Sequence, residues 1–195
     1  MRLDPEQLLY AYAQGVFPMA HEDGQIFWYD PDPRAIIPLD RFHVPSRLAR
    51  TVRQAPFEIR VDRAFSRVME LCAAPAPGRE ETWINDDFLT AYSELHELGL
   101  AHSVEAWQDG ELVGGLYGVT LNSLFAGESM FSLARDASKV TLVHLVRRLR
   151  RRNYLLLDIQ FLTEHLAQFG AMEIPRERYH RLLREALQQP NTFAD

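Results

Sequence analysis

The sequence has little cysteine: Cys72 is the single one among 195 residues. One cysteine forms no internal disulfide and provides no cysteine cluster for zinc. The seven histidines include no HExxH pair, the spacing at which two histidines on one helix bind zinc. The sequence therefore predicts no disulfide framework, no metal site and no metal-dependent cofactor.

Long apolar runs are also missing. A membrane helix needs roughly 20 consecutive apolar residues, and no uninterrupted run approaches that length. The first fifteen residues, MRLDPEQLLYAYAQG, lack the apolar core of a signal peptide. We therefore expect a cytoplasmic protein without membrane contact.

Positive charge is not in excess, since the formal net charge is −6 and the sequence pI is about 5.6. Any nucleic-acid contact must then come from a local basic surface. Glycine-rich phosphate loops and the G-x-G-x-x-G pattern are absent, which disfavours nucleotide hydrolysis and dinucleotide binding. The sequence around Ser129, GESMF, lacks the second glycine of a G-x-S-x-G nucleophile elbow, so a serine hydrolase is disfavoured.

The hydrophobic periodicity predicts an α+β protein, with strands grouped before alternating helices and strands. Local signals include an Asp4 cap, an Asn85 cap and an Asp109-Gly110 hairpin turn. Residues 74–81 are predicted to form a surface loop. We expect helices over 5–15, 45–54, 62–74, 85–99, 136–151, 163–169 and 176–188, and strands over 57–61, 103–108, 111–119, 125–132, 154–160 and 171–174.

Four prolines and several aromatic residues lie close together between residues 16 and 40. Proline fixes the backbone, so we expect this segment to be stiff, extended and irregular. Two interpretations stay open at this point: an ordered loop packed on the main body, and a binding surface.

Polar residues interrupt two strands that are otherwise apolar, FAGESMFS and YLLLDIQ. Because residues two apart share a strand face, Glu128 is expected beside Met130, and Asp158 beside Gln160. If the strands are neighbours, Glu128, Asp158 and Gln160 converge on a pocket partly lined by Met130. Alternatively, each carboxylate is paired with an arginine in a structural ion pair.

A series of motifs resembles the leucyl/phenylalanyl-tRNA–protein transferase family over about residues 8–179. The motifs are QGVFPM, WYDPDPRAIIP, ETWI, AYSELHELGLAHSVEAW, ELVGGLYGV, FAGESMFS, DASK, DIQF and GAMEIPR. The resemblance implies a cytoplasmic bacterial enzyme that moves leucine or phenylalanine, and sometimes methionine, from aminoacyl-tRNA to the α-amine of proteins beginning with arginine or lysine. The product is a destabilising N-terminus for N-end-rule degradation. The implied fold is a small α+β N-terminal domain, placed at residues 1–60, and a GNAT-like catalytic domain at 61–195, in a monomer.

The resemblance also implies roles for the polar residues. Asp158 would hold the acceptor ammonium and help to remove its proton, while Gln160 would orient the amine or the ester carbonyl. Glu128 would support this network or meet the cationic side chain of the acceptor. Since an aminoacyl ester is already activated, no cofactor is expected.

By the same resemblance, an apolar pocket selects the amino acid, although each lining residue taken alone is more typical of ordinary core than of a pocket. Trp83 and Tyr92 would stack on the terminal adenine of the tRNA, and Ser138 of DASK would contact substrate. Met19 stands where some members carry tryptophan, which puts a stacking role there in question. The expected pocket residues are Leu116, Phe125, Met130, Leu142 and Leu145.

Two arginine groups are candidates for tRNA contacts. Arg47, Arg50 and Arg53 recur every three residues on one predicted helix, so they share a face that can follow a phosphate backbone. The second group, Arg147–Arg152, lies near a helix C-terminus, where arginines are favoured by the helix dipole alone. We therefore favour the first group.

Two other functions fit parts of the sequence. An acetyl-CoA-dependent GNAT enzyme would share the fold, but it would normally carry a Gln/Arg-x-x-Gly-x-Gly/Ala loop where this chain has LARDASK. A noncatalytic RNA-binding module is the other alternative, and the acidic total charge and the set of Glu128, Asp158 and Gln160 count against it.

Overall fold

The structure is a computed structural model that describes residues 3–21, 23–75 and 82–194. The predicted surface loop at 74–81 lies almost entirely outside the described residues. The α-helices are α1 (Pro5–Ala13), α2 (Ser46–Gln54), α3 (Phe65–Ala73), α4 (Asp86–Glu97), α5 (Ala137–Arg151), α6 (Glu164–Ala167) and α7 (Arg176–Gln188), with a 3₁₀ helix at Leu39–Arg41. The strands are β1 (Phe17–Ala20), β2 (Ile26–Tyr29), β3 (Arg34–Ile36), β4 (Glu58–Val61), β5 (Ala101–Gln108), β6 (Glu111–Leu121), β7 (Leu124–Ser132), β8 (Leu156–Gln160) and β9 (Met172–Ile174).

Local signals in the sequence fix several of these boundaries. The Asp4 side chain accepts hydrogen bonds from the first turn of α1, and Asn85 does the same for α4. Asp109 and Gly110 have φ of 51° and 83°, the left-handed pair that a two-residue hairpin turn requires. The predicted α+β class is confirmed.

The main sheet has seven strands in the order β4-β5-β6-β7-β8-β3-β9. The predicted meander of β5, β6 and β7 is confirmed, and β4 pairs antiparallel at its edge. After α5 crosses the sheet, β8 pairs parallel with β7. The sheet is therefore mixed, with a single parallel pair among the described strands.

The proline-rich segment is more regular than predicted. β1 and β2 form a separate antiparallel hairpin, and β3 lies in the main sheet between β8 and β9. The prediction of irregular structure was wrong because these strands have only three or four residues, too few to show a period. Phe17 is buried against the main body, so this part of the segment is ordered and packed, and its interpretation as a binding surface stays a prediction.

Each face of the sheet carries its own apolar core. Helix α5 packs on one face, where Leu116 and Val143 belong to the first core cluster. Helices α1, α3 and α4 cover the opposite face, where Tyr117 and Val119 belong to the second. A Cβ on Gly114 would lie 2.5 Å from that of Ala137, so this glycine lets α5 start directly against β6. The proposed domain boundary near residue 60 stays a prediction.

Candidate active site

A cavity of about 330 Å³ opens where β7 and β8 separate. The two strands pair only from Leu124 and Leu156 to Ala126 and Asp158, and β7 then continues for six residues without β8. The gap gives access from one sheet face to the other. Most of the lining is apolar, and the polar lining residues are Glu128, Ser129, Gln160, Thr163 and His165.

Glu128 occupies a β-bulge in β7. Gly127 pairs with Gly118 and Ser129 pairs with Tyr117, so Glu128 is the extra residue between two ladder positions. A Cβ on Gly118 would clash with the Ala126 carbonyl oxygen, so the close pairing of β6 with β7 requires glycine here. The bulge places Glu128 in the lining of the cavity.

The bulge overturns the prediction that Glu128 and Met130 share a strand face. Glu128 contacts Tyr12 in the second core cluster, whereas Met130 packs against the first. An extra residue reverses the alternation of side chains beyond it. Both residues nevertheless line one cavity, because the gap between β7 and β8 joins the two faces.

Glu128 is half-buried and held by two hydrogen bonds to its Oε1. The Tyr12 hydroxyl donates to it at 2.7 Å and the Gln160 side-chain amide at 3.2 Å. The Tyr92 hydroxyl lies 2.5 Å from that of Tyr12. Burial raises the pKa of Glu128 to about 8, and the nearby negative charge of Asp158 adds to the rise while the Tyr12 hydrogen bond opposes it.

Asp158 is completely buried, and described side chains and the backbone satisfy both of its oxygens. Arg34 donates to Oδ1 at 2.9 Å and to Oδ2 at 2.6 Å, a bidentate pair. Tyr179 donates to Oδ2 at 2.9 Å, and the Gln160 backbone N–H donates to Oδ1 at 3.0 Å. Asp158 does not line the cavity. The predicted contact between Asp158 and the acceptor amine is therefore incompatible with this geometry.

Gln160 links the buried ion pair to the cavity. Its backbone has φ of 58°, a left-handed conformation that is uncommon for glutamine and often marks functional sites. The hydrogen bond to Asp158 holds the backbone there, and the side-chain amide reaches Glu128. The predicted convergence of Glu128, Asp158 and Gln160 on one region is present as a chain of contacts, with Asp158 at the buried end.

Four of the five residues expected in the apolar pocket line the cavity. They are Leu116, Met130, Leu142 and Leu145. The fifth, Phe125, does not line it, because its ring packs in the core against Phe193 with 5.2 Å between ring centroids. Phe125 thus serves as core rather than as cavity wall.

The two predicted stacking residues differ in exposure. Trp83 is half-buried at the cavity wall. Tyr92 is completely buried, with Phe88 stacked on its ring and Tyr117 at its edge, so it offers no face to a nucleobase. The stacking prediction for Tyr92 was wrong because the apolar face of α4 that carries it points into the core.

Ser138 lies beside the cavity, at the start of α5. It borders a depression that shares Met130 and His165 with the cavity. His165 Nε2 is buried and has no hydrogen-bond partner among the described residues. Burial, and then Lys139, lower the pKa of His165.

The predicted tRNA-binding arginines lie on the exposed side of α2. Arg47, Arg50 and Arg53 are exposed, while Leu48 and Val52 on the other side are buried in the first core cluster. Arg47 lies 3.7 Å from an Asp136 carboxylate oxygen.

Sequence reasoning missed three residues that shape the site: Arg34, Tyr12 and Tyr179. Arg34 is completely buried, and its guanidinium lies over the rings of Phe17 and Tyr179 at 4.7 and 4.3 Å. A lone arginine in the apolar stretch PRAIIP was the available signal, because a buried arginine needs a carboxylate partner.

One group of described residues could surround a metal ion: Asp62, His96 and His102. His102 Nδ1 lies 2.7 Å from Asp62 Oδ2, and its Nε2 lies 3.0 Å from the Gly99 carbonyl oxygen. Because both ring nitrogens of His102 meet hydrogen-bond acceptors, we interpret this group as a structural tie between the end of β4 and the α4–β5 turn.

Comparison with known proteins places the chain in a family. A family model described as leucyl/phenylalanyl-tRNA protein transferase matches residues 36–184, and the model of that family's N-terminal domain matches residues 1–32. The chain belongs to the leucyl/phenylalanyl-tRNA protein transferase family. It is therefore an enzyme of a transferase family, as the sequence predicts.

Curated members of the leucyl/phenylalanyl-tRNA protein transferase family match nearly the whole chain. The Herpetosiphon aurantiacus leucyl/phenylalanyl-tRNA–protein transferase is 65% identical over 193 residues, 98% of each chain. The Phenylobacterium zucineum protein of the same name is 62% identical over 192 residues, which make up 97% of this chain and 87% of that protein.

Solved structures show a weaker likeness. L-PGS from Bacillus licheniformis aligns with a TM-score of 0.41 and 13% identity over 85% of this chain and 56% of that one. The C-terminal domain of a lysylphosphatidylglycerol synthetase from Agrobacterium fabrum aligns with the same score and 11% identity over 96% of this chain and 58% of that one. In the described part of the chain, no helix has the length and apolar character to cross a membrane.

Proposed function

We propose that this chain transfers leucine or phenylalanine, and also methionine, from aminoacyl-tRNA to the N-terminal α-amine of proteins that begin with arginine or lysine. The observation that carries the proposal is an apolar cavity with Glu128 and Gln160 at its wall. Such a cavity can hold an apolar side chain while its ester meets polar groups. The product would be a destabilising N-terminus for N-end-rule degradation, in the cytoplasm, where aminoacyl-tRNA is made.

The cavity lining supports selection of apolar amino acids. Leu116, Met130, Leu142 and Leu145 surround a volume of about 330 Å³, and Met130 has an unbranched, adaptable side chain. An apolar pocket separates side chains by only about 1–3 kcal/mol per methylene. This modest discrimination favours leucine, phenylalanine and methionine together over small or polar side chains.

The reaction needs positioning and the transfer of one proton. The acceptor nitrogen attacks the ester carbonyl carbon, an N–C bond forms, and the C–O bond to the ribose breaks. The amine loses one proton and the ribose hydroxyl gains one, so no other reactant is consumed. An α-amine has a pKa of about 7.7–8.0, and Glu128 has one of about 8. Glu128 is therefore matched to exchange a proton with the amine near neutral pH.

Asp158 acts in this proposal as a positioning residue. Asp158 accepts from the Gln160 backbone N–H and so fixes that backbone. Arg34 balances the charge of Asp158, and both Arg34 and Asp158 are fully buried. The Gln160 amide N–H₂ is engaged by Glu128, which leaves the amide oxygen to accept from the acceptor ammonium. Catalytic contact with the substrate thus falls to Glu128 and Gln160.

Several finer assignments belong to the same proposal. The GNAT-like description of the catalytic domain is supported by the meander, the crossover helix α5 and strand β8 parallel to β7. Trp83 at the cavity wall is proposed to stack on the terminal adenine, and Ser138 beside the cavity to contact the aminoacyl-tRNA. A monomer and the division at residue 60 are kept as expectations.

The direct test combines purified protein, Leu-tRNA labelled on leucine, and a peptide beginning with arginine. We expect label in the peptide, and none when the peptide N-terminus is acetylated, because the attacking amine is then blocked. Acetyl-CoA as donor should give no product. Labelling from acetyl-CoA alone would favour an ordinary N-acyltransferase, and tRNA binding without transfer would favour a noncatalytic RNA-binding module.

A further inference from the structure

A basic groove runs between the edge strand β4 and helix α5. We define the basic groove by the polar side chains of Arg60, Arg63, His144, Arg148 and Arg151, which line it together with three apolar residues. It continues into a second depression lined by Arg148, Arg151, Arg152 and Asn191. The two parts have volumes of about 540 and 600 Å³ and share two arginines.

Acidic residues are absent from the described lining of the basic groove. Arg60 forms an ion pair at 2.8 Å with Glu58, which does not line the basic groove. Arg63 and Arg151 are exposed, and neither guanidinium forms an ion pair within the described ranges. At least two arginines are thus available to an anion, in a protein whose net charge is −6.

His144 gives independent support for a positive potential in the basic groove. Its pKa is lowered, first by burial and then by Arg147 and Arg151. Like charges disfavour the protonated form of a histidine. Arg147 and Arg151 therefore act on His144 as like charges, and a positive field of this kind attracts phosphate.

Helix α5 connects the basic groove to the cavity. Leu142 and Leu145 line the cavity, while Arg148 and Arg151 line the basic groove. At about 1.5 Å rise per residue, Leu145 and Arg151 are about 9 Å apart along the helix axis. The cavity and the basic groove are thus close along the axis of α5 but lie on different faces of it, so an RNA strand with its aminoacyl end in the cavity would pass around the helix to bring phosphates to the groove.

We propose that the basic groove binds the phosphodiester backbone of the aminoacyl-tRNA, away from its aminoacyl end. The inference rests on the proposed function, since it takes aminoacyl-tRNA as the donor. Arginine suits this contact because its planar guanidinium binds phosphate oxygens in pairs. The contacts carry no sequence information and fix only the position of the RNA. The basic groove adds to the arginines of α2 as a second phosphate-binding surface.

The test compares two double variants with the same change in charge. R63Q/R151Q removes the available cations of the basic groove. R181Q/R184Q removes two exposed arginines from α7, which line a depression that also contains Glu177. Binding of deacylated tRNA is measured by fluorescence anisotropy over a series of KCl concentrations. Circular dichroism and urea unfolding check that the variants are folded.

For R63Q/R151Q we expect the slope of log Kd against log salt to fall by about 2, roughly one for each phosphate that the variant no longer neutralises. We expect Kd at low salt to rise roughly tenfold, and R181Q/R184Q to stay close to the wild type. The ratio of transfer from Leu-tRNA to transfer from leucyl-adenosine should fall in R63Q/R151Q. Equal losses in both double variants, or an unchanged slope, would overturn the proposal.

Two further outcomes separate the proposal from its alternatives. If polyglutamate competes with tRNA for the basic groove as well as polyuridylate of equal charge does, the groove binds acidic polypeptides and the proposal is wrong. The binding measurement needs no transfer. If the wild type transfers no leucine but R63Q/R151Q weakens tRNA binding, the proposed function fails while the basic groove remains an RNA-binding surface.

Discussion

The Gln160 side-chain amide donates to Glu128 Oε1 at 3.2 Å, across the gap that opens between β7 and β8. This contact joins a residue in a β-bulge to a residue with left-handed backbone conformation. Behind it, Arg34 and Asp158 form a buried pair that anchors the Gln160 backbone. The site is therefore a short hydrogen-bonded chain from the core to the cavity.

Glu128→Gln should remove a pH dependence of stability. The folded-state pKa of Glu128 is about 8, against 4.5 for the ordinary group. The contribution of Glu128 to the free energy of unfolding is fully present below about pH 4.5 and is lost as pH rises toward 8. The loss is about 1.4 kcal/mol for each unit of pKa difference. Urea unfolding at pH 5, 6.5 and 8 should give a flatter curve for the variant. Glu111→Gln, an exposed carboxylate, is the control and should follow the wild type.

Arg34→Met should destabilise the fold by roughly 3–5 kcal/mol, because it leaves the buried Asp158 carboxylate without its cation. R34M/D158L should recover much of that loss, since the uncompensated charge is then gone. Arg34 also lowers the pKa of Glu128, so in Arg34→Met the pH dependence of transfer should shift to higher pH. Urea unfolding and a pH–rate profile check both parts, and an equal loss in the two variants would contradict the ion-pair account.

Met130→Ala should weaken selection among apolar aminoacyl groups, because truncation enlarges the cavity beside the substrate side chain. Transfer of leucine should fall relative to transfer of larger groups in a competition between aminoacyl-tRNAs. Met69→Ala is the matched control: Met69 is completely buried in the second core cluster, so it should lose stability without a change in selectivity. Unchanged selectivity in Met130→Ala would make Met130 ordinary core.

Replacement of Arg47, Arg50 and Arg53 together by glutamine should raise the KM for Leu-tRNA and flatten its salt dependence, because three exposed cations leave one face of α2. Transfer from leucyl-adenosine should suffer much less, since this donor lacks the phosphates. Arg178, Arg181 and Arg184 provide the control, with the same spacing and exposure on α7. A comparable effect on both donors would show that α2 has a structural role instead.

Much of the fold could be predicted from local sequence. The predicted last helix, 176–188, coincides with α7, and the Asp109-Gly110 turn forms the expected hairpin. Caps and tight turns depend on residues a few positions apart, so their chemistry is visible in a short stretch. The polar interruptions of two apolar strands likewise identify Glu128, Asp158 and Gln160 from the sequence.

Tertiary structure alone decided what those residues contact. The bulge at Glu128 lies opposite Tyr117 and Gly118 of a different strand, and it separates Glu128 from Met130. Asp158 is closed to substrate because Arg34, 124 positions earlier in the chain, is brought against it by strand β3. Sequence alone determined which polar groups enter the apolar strands. Which of them reach the cavity depended on strand pairing between distant segments, because a carboxylate's environment is set by its neighbours in space and not by those in sequence.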